Sequence, residues 1–155
     1  MKFQANTFLK AMEGSWISQK TIFYLKTNQI CCNQFNYTIK KNHFLRNDSN
    51  INNLNCLEFY NINKKQKDYY NFIQTNQDNL GYITKNYNQN IDSYKYSIYK
   101  HNCLKIEYKT SKVEYIEYIY VINQTFMTNI SLLKKSDKYM AISFASNIKL
   151  PVLDK

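Results

Sequence analysis

The stretch GSWISQKT, from Gly14 to Thr21, marks the point where the sequence changes from a helical to a strand-like pattern. Upstream, Asn6 and Thr7 are suitable N-caps for a short helix. The apolar residues at helical spacing there are Phe8, Leu9 and Met12. Gly14 can adopt the left-handed conformation that ends a helix. From Ser18 onward polar and apolar residues alternate, as in a strand with two unlike faces.

The period of two continues through the rest of the chain. It covers residues 30–39, 57–62, 69–73, 80–87, 94–98, 104–108, 115–122, 126–133 and 139–150. Asn-rich stretches at 46–55, 74–79 and 88–92 interrupt it, and Asn favours turns because its side chain bonds its own backbone. Many short strands separated by such turns are typical of a sandwich or a closed barrel.

The last strand favours a barrel with room inside. Ala141, Ser143 and Ala145 share one face of it. If that face points inward, it leaves space for a ligand, and a barrel of about eight strands can hold one small molecule. Closure also removes exposed sheet edges. We therefore predict an all-β, antiparallel up-and-down calyx of eight to ten strands with a short N-terminal helix, in one domain at 1–155; a filled sandwich is the alternative.

Charge and composition restrict the partners. The 155 residues carry a formal net charge of +10, which favours an acidic ligand or partner. A nucleic-acid-binding barrel and a merely solvated basic surface are alternatives. Arg46 is the single arginine, whereas base readout relies on arginine forks. We therefore expect no nucleic acid as partner. No apolar run is long enough to span a bilayer, and Met1 opens no signal peptide, so we expect no membrane partner either.

Four cysteines form no metal-binding pattern. They are Cys31, Cys32, Cys56 and Cys103. None belongs to a CxxC pair, so we expect buried, reduced thiols and no metal site.

Motifs at both ends of the chain resemble the S-type phycobiliprotein chromophore lyases, the CpcS/CpeS family. GSWISQKT resembles that family's helix-ending Gly-x-Trp followed by Ser-Gln-Arg-Thr. SLLKKSDKYMAISFASNIKL, residues 131–150, resembles its closing hairpin. LKIEYKT at 104–110 and EYIYV at 117–121 resemble the preceding strands.

The resemblance implies a ten-stranded barrel similar to lipocalins and fatty-acid-binding proteins. It also implies an enzyme, a lyase that binds a phycobilin such as phycocyanobilin or phycoerythrobilin as substrate, with no tightly bound cofactor. The pigment would be joined through a thioether to a cysteine of an apo-phycobiliprotein subunit. A role in photosynthesis and a plastid-encoded protein of the chloroplast stroma follow from the same resemblance. A homodimer and a heteromer with a related lyase both stay open.

Candidate site residues follow from that resemblance. Glu117 occupies the position of an acidic residue on a late strand and is the candidate proton donor; a solvated carboxylate paired with a lysine is the alternative. Lys20 replaces the family's arginine as a propionate partner, or is a rim lysine. Trp16 would plug the closed end of the barrel. The candidates for pigment binding are Trp16, Gln19, Lys20, Tyr96, Tyr108 and Lys149.

The sequence also departs from the family pattern. Met127 and Asn129 stand where the family has two arginines, so a bidentate carboxylate clamp cannot form there. Another lysine would then have to bind the propionates: Lys95, Lys105 or Lys149. Otherwise the protein is a non-catalytic carrier of a bilin or lipid, or an inactive subunit of a lyase complex.

Overall fold

The computed structural model describes residues 3–42, 53–77, 79–87, 90–100 and 102–152. One helix, α1 (Phe3–Met12), precedes the strands. The strands are β1 (Gly14–Tyr24), β2 (Gln29–Asn42), β3 (Asn53–Asn61), β4 (Gln66–Gln74), β5 (Leu80–Tyr87), β6 (Asn90–Tyr99), β7 (Cys103–Lys109), β8 (Val113–Val121), β9 (Phe126–Lys135) and β10 (Lys138–Lys149). No helix in the described ranges is long and apolar enough to pass through a bilayer.

The strands form a closed antiparallel barrel in which each pairs with its sequence neighbours. β1 and β10 close the ring, with Trp16 opposite Lys149 and Thr21 opposite Phe144. Closure removes most of the exposed sheet edge, and among the described strands the first part of β2 pairs only with β1. The predicted ten-stranded up-and-down calyx is confirmed, and the sandwich alternative is wrong.

Several element boundaries differ from the prediction. The helix begins at Phe3, before the expected caps Asn6 and Thr7, and β1 already begins at Gly14. Gly14 has a φ of 138°, a region that favours glycine. β3 and β6 extend into the Asn-rich stretches expected to be loops, because cross-strand pairing outweighs the turn preference of Asn. Residues 46–52 and 88–89 lie outside the described residues.

The helix end of the barrel is packed solid. α1 contributes Ala5, Phe8, Leu9 and Met12 to one cluster with inward side chains of the strands. Trp16 is 1% exposed, and its indole N–H donates to the carbonyl of Met12 at 2.9 Å. The prediction that Trp16 plugs the closed end is confirmed.

The small face of β10 points inward, as a ligand space requires. Ser143 and Ala145 are buried. Their neighbours along the strand, Ile142 and Phe144, are exposed on the outer surface. The inward face of this strand therefore leaves the interior open on the side away from α1.

The cysteines are free thiols. Cys56 and Cys103 are buried, and burial raises the pKa of both. The expectation of burial is wrong for Cys32, which is exposed, and for Cys31, which is half-exposed, because both lie on the part of β2 that pairs only with β1.

Candidate functional site

Two adjoining cavities occupy the barrel interior beyond the packed end. The first, of about 230 Å³, is lined by Ser18, Lys20, Phe35, Tyr37, Phe59, Asn61, Gln66, Asp68, Tyr70, Glu117, Asn129, Ser131, Ser143, Ala145 and Asn147. The second, of about 460 Å³, is lined by Lys20, Tyr70, Ile83, Lys85, Tyr94, Ile106, Tyr108, Tyr115, Glu117 and Leu133. Lys20, Tyr70 and Glu117 border both, so the cavities meet at these three side chains. Cavities of about 300–1,000 Å³ suit drug-sized ligands.

The two sides of this space differ in chemistry. Aromatic rings form one side, with Phe59 and Tyr70 4.6 Å apart and Tyr94 and Tyr108 5.7 Å apart between ring centroids. Small and polar side chains of β1, β9 and β10 form the other: Ser18, Asn129, Ser131, Ser143, Ala145 and Asn147. A flat conjugated ligand can stack on the aromatic side and place its polar edge on the other.

Glu117 lies where the cavities meet, and neutral groups hold its carboxylate. The amide of Asn129 donates to Oε1 at 2.9 Å and the hydroxyl of Tyr115 donates to Oε2 at 2.7 Å. The alternative of a solvated carboxylate paired with a lysine is wrong, because none of the ion pairs among the described residues contains Glu117.

Asn129 belongs to a hydrogen-bond chain across the interior. Asn147 donates to the side-chain oxygen of Asn129 at 2.9 Å and to the carbonyl of Met127 at 3.1 Å. Tyr37 donates to Asn147 at 3.0 Å. This chain fixes the orientation of the Asn129 amide, so that its N–H₂ group faces the carboxylate of Glu117.

Burial keeps the interior tyrosines neutral. It raises the pKa of Tyr37, Tyr70 and Tyr115, with the nearby Glu117 carboxylate as a further cause at each. Burial, with Asp92, raises the pKa of Tyr94 to about 12. These hydroxyls therefore act as neutral donors and acceptors near pH 7.

Two lysines bring positive charge to the interior. Lys20 on β1 borders both cavities and belongs to no ion pair in the described part of the chain. Lys85 on β5 lies 3.6 Å from Asp68 on β4. Its ammonium group is 5.3 Å from the ring centre of Tyr70.

The structure brings together only some of the predicted site residues. Glu117, Lys20 and Tyr108 line the second cavity. Tyr96 points inward but lies below the cavities, 2% exposed and packed 5.6 Å from Phe72. Gln19 is exposed on the outer face.

Two further candidates lie at the closed end instead. Trp16 is buried under α1 and does not line either cavity. Lys149 donates to the carbonyl of Ala11 at 3.0 Å and lies 4.7 Å from the ring centre of Trp16. Burial lowers the pKa of Lys149. Its role here is to satisfy the end of the helix, which removes it from the ligand space.

The other lysines considered for the propionates point outward. Lys95 is exposed, and Lys105 pairs with Glu107 near the ring of Tyr118. Sequence reasoning missed Lys85, although alternation from Ile83 places both residues on one face of β5. No group of His, Cys, Asp or Glu within the described ranges could hold a metal ion.

Comparisons with known proteins agree with this architecture. No family model matches the sequence. The "Chromophore lyase CpcS/CpeS homolog" of Gracilaria tenuistipitata var. liui, a red alga, is 37% identical over 144 residues, covering 92% of this chain and 95% of that protein.

Solved structures share the fold. The S-type phycobiliprotein lyase CpeS from Guillardia theta matches with a TM-score of 0.74 and 10% identity over 96% of this chain and 94% of its own. A DUF3598 family protein from Nostoc punctiforme matches with a TM-score of 0.57 and 7% identity over 92% of this chain and 49% of its own. The level of identity to the red algal relative, over nearly its whole length, shows that this chain belongs to the CpcS/CpeS chromophore lyase family.

Proposed function

We propose that this chain is a phycobiliprotein chromophore lyase, which binds a phycobilin and joins it through a thioether to a cysteine of an apo-phycobiliprotein subunit. The observation that supports this most directly is the carboxylate of Glu117, held by Asn129 and Tyr115 inside an aromatic-walled cavity. Family membership supports the same activity.

The interior matches the chemistry of an open-chain tetrapyrrole. Such a pigment is a long conjugated system with two propionates, so its site needs aromatic walls and cations. The rings of Tyr70, Tyr94 and Tyr108 supply the walls, and Lys20 receives one propionate. The amides and hydroxyls on the opposite side suit the polar edges of the pyrrole rings.

Glu117 provides the proton chemistry. The acceptor thiol adds across the exocyclic double bond of the pigment, so that one S–C bond forms and the thiol's proton ends on the tetrapyrrole. The addition therefore needs no oxidant or reductant. Glu117 stabilises the protonated pyrrole system or passes the proton, while Asn129 and Tyr115 keep its carboxylate turned toward the cavity.

The partners and location follow from the same proposal. The pigment enters the barrel from the end opposite α1, and the acceptor subunit docks there, because α1 closes the other end. The red algal origin of the relative supports a plastid protein of the chloroplast stroma. The protein acts alone, as a homodimer or together with a related lyase, and these three states differ in molecular mass.

Co-expression tests the proposal. The chain is produced with a phycobilin source and separate apo-phycobiliprotein subunits, and each subunit is denatured and examined for zinc-enhanced fluorescence. We expect one subunit to carry pigment that survives denaturation only when the lyase is present. Uncoloured subunits beside correctly folded lyase would contradict the proposal, and size-exclusion chromatography of the same sample reports the assembly state.

A carrier without chemistry is the second candidate, because Met127 is 1% exposed in the core and Asn129 is neutral where the family has arginines. A carrier shifts the absorption spectrum of added bilin but leaves no thioether on any subunit. The denatured-subunit assay therefore separates the two functions directly.

A further inference from the structure

An ion pair lies inside the barrel wall between Lys85 and Asp68. The two groups are 3.6 Å apart, and their side chains are 25% and 19% exposed. On the outer face, Lys67 and Glu58 form a pair of similar length, 3.5 Å, in which the lysine is 53% exposed. Partly buried pairs are weak evidence for stability because desolvation offsets their attraction. The inner pair therefore invites a functional explanation.

The inner pair borders the ligand space on two sides. Lys85 lines the cavity of about 460 Å³, and Asp68 lines the adjoining cavity of about 230 Å³. Tyr70 borders both cavities, and its ring centre lies 5.3 Å from the Lys85 ammonium. A ligand stacked on Tyr70 would place its acidic groups next to Lys85.

Lys20 and Lys85 are the lysines that line these cavities. Among the described ion pairs Lys85 has a carboxylate partner and Lys20 has none. The interior thus offers one cation without a carboxylate and one that already has its own. A ligand with two carboxylates can use both, whereas a ligand with one carboxylate needs only Lys20.

We propose that Lys85 is the second carboxylate-binding residue of the cavity and that Asp68 is its internal competitor. The inference rests on the proposed function and specifies how that site selects dicarboxylate ligands. An ammonium group has three N–H donors, so the ligand's carboxylate exchanges with that of Asp68 without leaving Lys85 unpaired. In the absence of ligand, Asp68 keeps the lysine compensated, which lowers the cost of holding a cation in the cavity.

Opposite effects of two substitutions test this inference. Biliverdin, an open-chain tetrapyrrole with two propionates, is titrated into each purified protein, and binding is followed by visible absorbance. Lys85→Met should weaken binding about tenfold, the effect of losing about 1.4 kcal/mol. Asp68→Asn should tighten it several-fold, because the Asp68 carboxylate then no longer competes with the ligand for Lys85. The dimethyl ester of biliverdin should bind all three proteins alike.

The outer pair supplies matched controls. Lys67→Met and Glu58→Gln change the same kinds of side chain on β4 and β3 but face away from the cavities, and they should leave biliverdin affinity unchanged. Lys85→Gln is a second variant, and circular dichroism checks that each protein is folded.

Unchanged biliverdin affinity in folded Lys85→Met and Lys85→Gln would overturn the inference, as would weaker binding by Asp68→Asn. These results are independent of the co-expression assay. If the wild-type chain attaches pigment but the Lys85 variants bind biliverdin as the wild-type protein does, only the inference is refuted. If the wild-type chain attaches no pigment, the proposed function is refuted.

Discussion

Glu117 is held by two neutral donors, and this arrangement leaves its negative charge available to the ligand. A carboxylate paired with a lysine would already be compensated. Here Asn129 and Tyr115 orient the group without cancelling its charge. A cationic pyrrole system in the cavity can therefore interact with the full charge of Glu117.

Glu117→Gln should separate binding from attachment. The amide keeps the shape of the side chain, accepts from Asn129 at its oxygen and can donate its N–H₂ group to the Tyr115 hydroxyl, but it cannot supply the negative charge or transfer the proton. We expect thioether formation to fall by about 10²-fold or more, the usual range for a lost acid–base group, while bilin binding persists. Initial rates of pigment attachment measure the loss.

Glu114→Gln is the control for that substitution, since Glu114 lies on the same strand but on its outer face, opposite Lys134. A rate for Glu117→Gln equal to that of the control would remove Glu117 from the chemistry.

The interior tyrosines predict how stability depends on pH. Burial raises the pKa of Tyr37, Tyr70 and Tyr115, and raises that of Tyr94 to about 12. The unfolded chain releases these protons near pH 10 and the folded chain retains them. Stability is therefore fully present below about pH 10 and falls as the pH rises toward the folded-state values.

Urea unfolding between pH 8 and 12 measures this slope. Tyr70→Phe should reduce the slope, because the variant has one tyrosine fewer whose pKa is raised by folding. Tyr24→Phe, at the exposed end of β1, should leave the slope unchanged. An identical alkaline slope in Tyr70→Phe and in the wild-type protein would contradict the assignment.

At the scale of the elements, alternation in the sequence predicted the strands and the barrel but not the depth of each residue. Lys149 has the inward orientation of Ser143 and Ala145 on β10, yet it lies at the closed end under α1. Tyr96 also points inward but lies below the cavities. A period of two fixes the face of a strand, whereas depth depends on strand register and on which end the helix covers.

The remaining errors have other causes. Gln19 lies between two inward residues and therefore faces outward, which alternation alone predicts. The importance of Lys85 and Asp68 could not be predicted, because they meet only after β4 and β5 pair. Contacts between strands depend on register, and the sequence carries no direct signal for it.

Gly81 on β5 permits a close contact at the packed end. A Cβ atom built there would lie 2.2 Å from the carbonyl oxygen of Ile73 and 2.5 Å from a ring carbon of Tyr96. Gly81→Ala should therefore destabilise the fold by roughly 1–3 kcal/mol or more, the cost of overpacking. Thr84→Ala, on the same strand and partly exposed, should cost less, and equal unfolding midpoints for the two variants would disprove the close packing.

At the scale of the whole molecule, lysines gather at the end of the barrel opposite α1. They lie in the connecting turns or within one residue of a strand end: Lys26, Lys64, Lys65, Lys67, Lys109, Lys112, Lys134, Lys135 and Lys138. The acidic residues of the same described segments are Glu114 and Asp137. Positive charge is thus concentrated at the end of the barrel to which the proposed acceptor would dock.

This distribution predicts that association with the acceptor depends on salt. A cationic rim raises the association rate of an acidic protein surface, and ions screen the effect over about 10 Å at 0.1 M salt. Replacing Lys64 and Lys65 by Glu should slow association and flatten its salt dependence, as measured by surface plasmon resonance between 0.05 and 0.5 M NaCl.

Replacing Lys10 and Lys100 by Glu makes the same change in net charge at the closed end. If acceptor association depends on the position of the charge, only the rim variant is impaired. If both variants lose association equally, net charge alone governs the encounter, and the rim is not the docking surface. The comparison therefore decides whether the acceptor approaches the same end of the barrel at which the cavity opens.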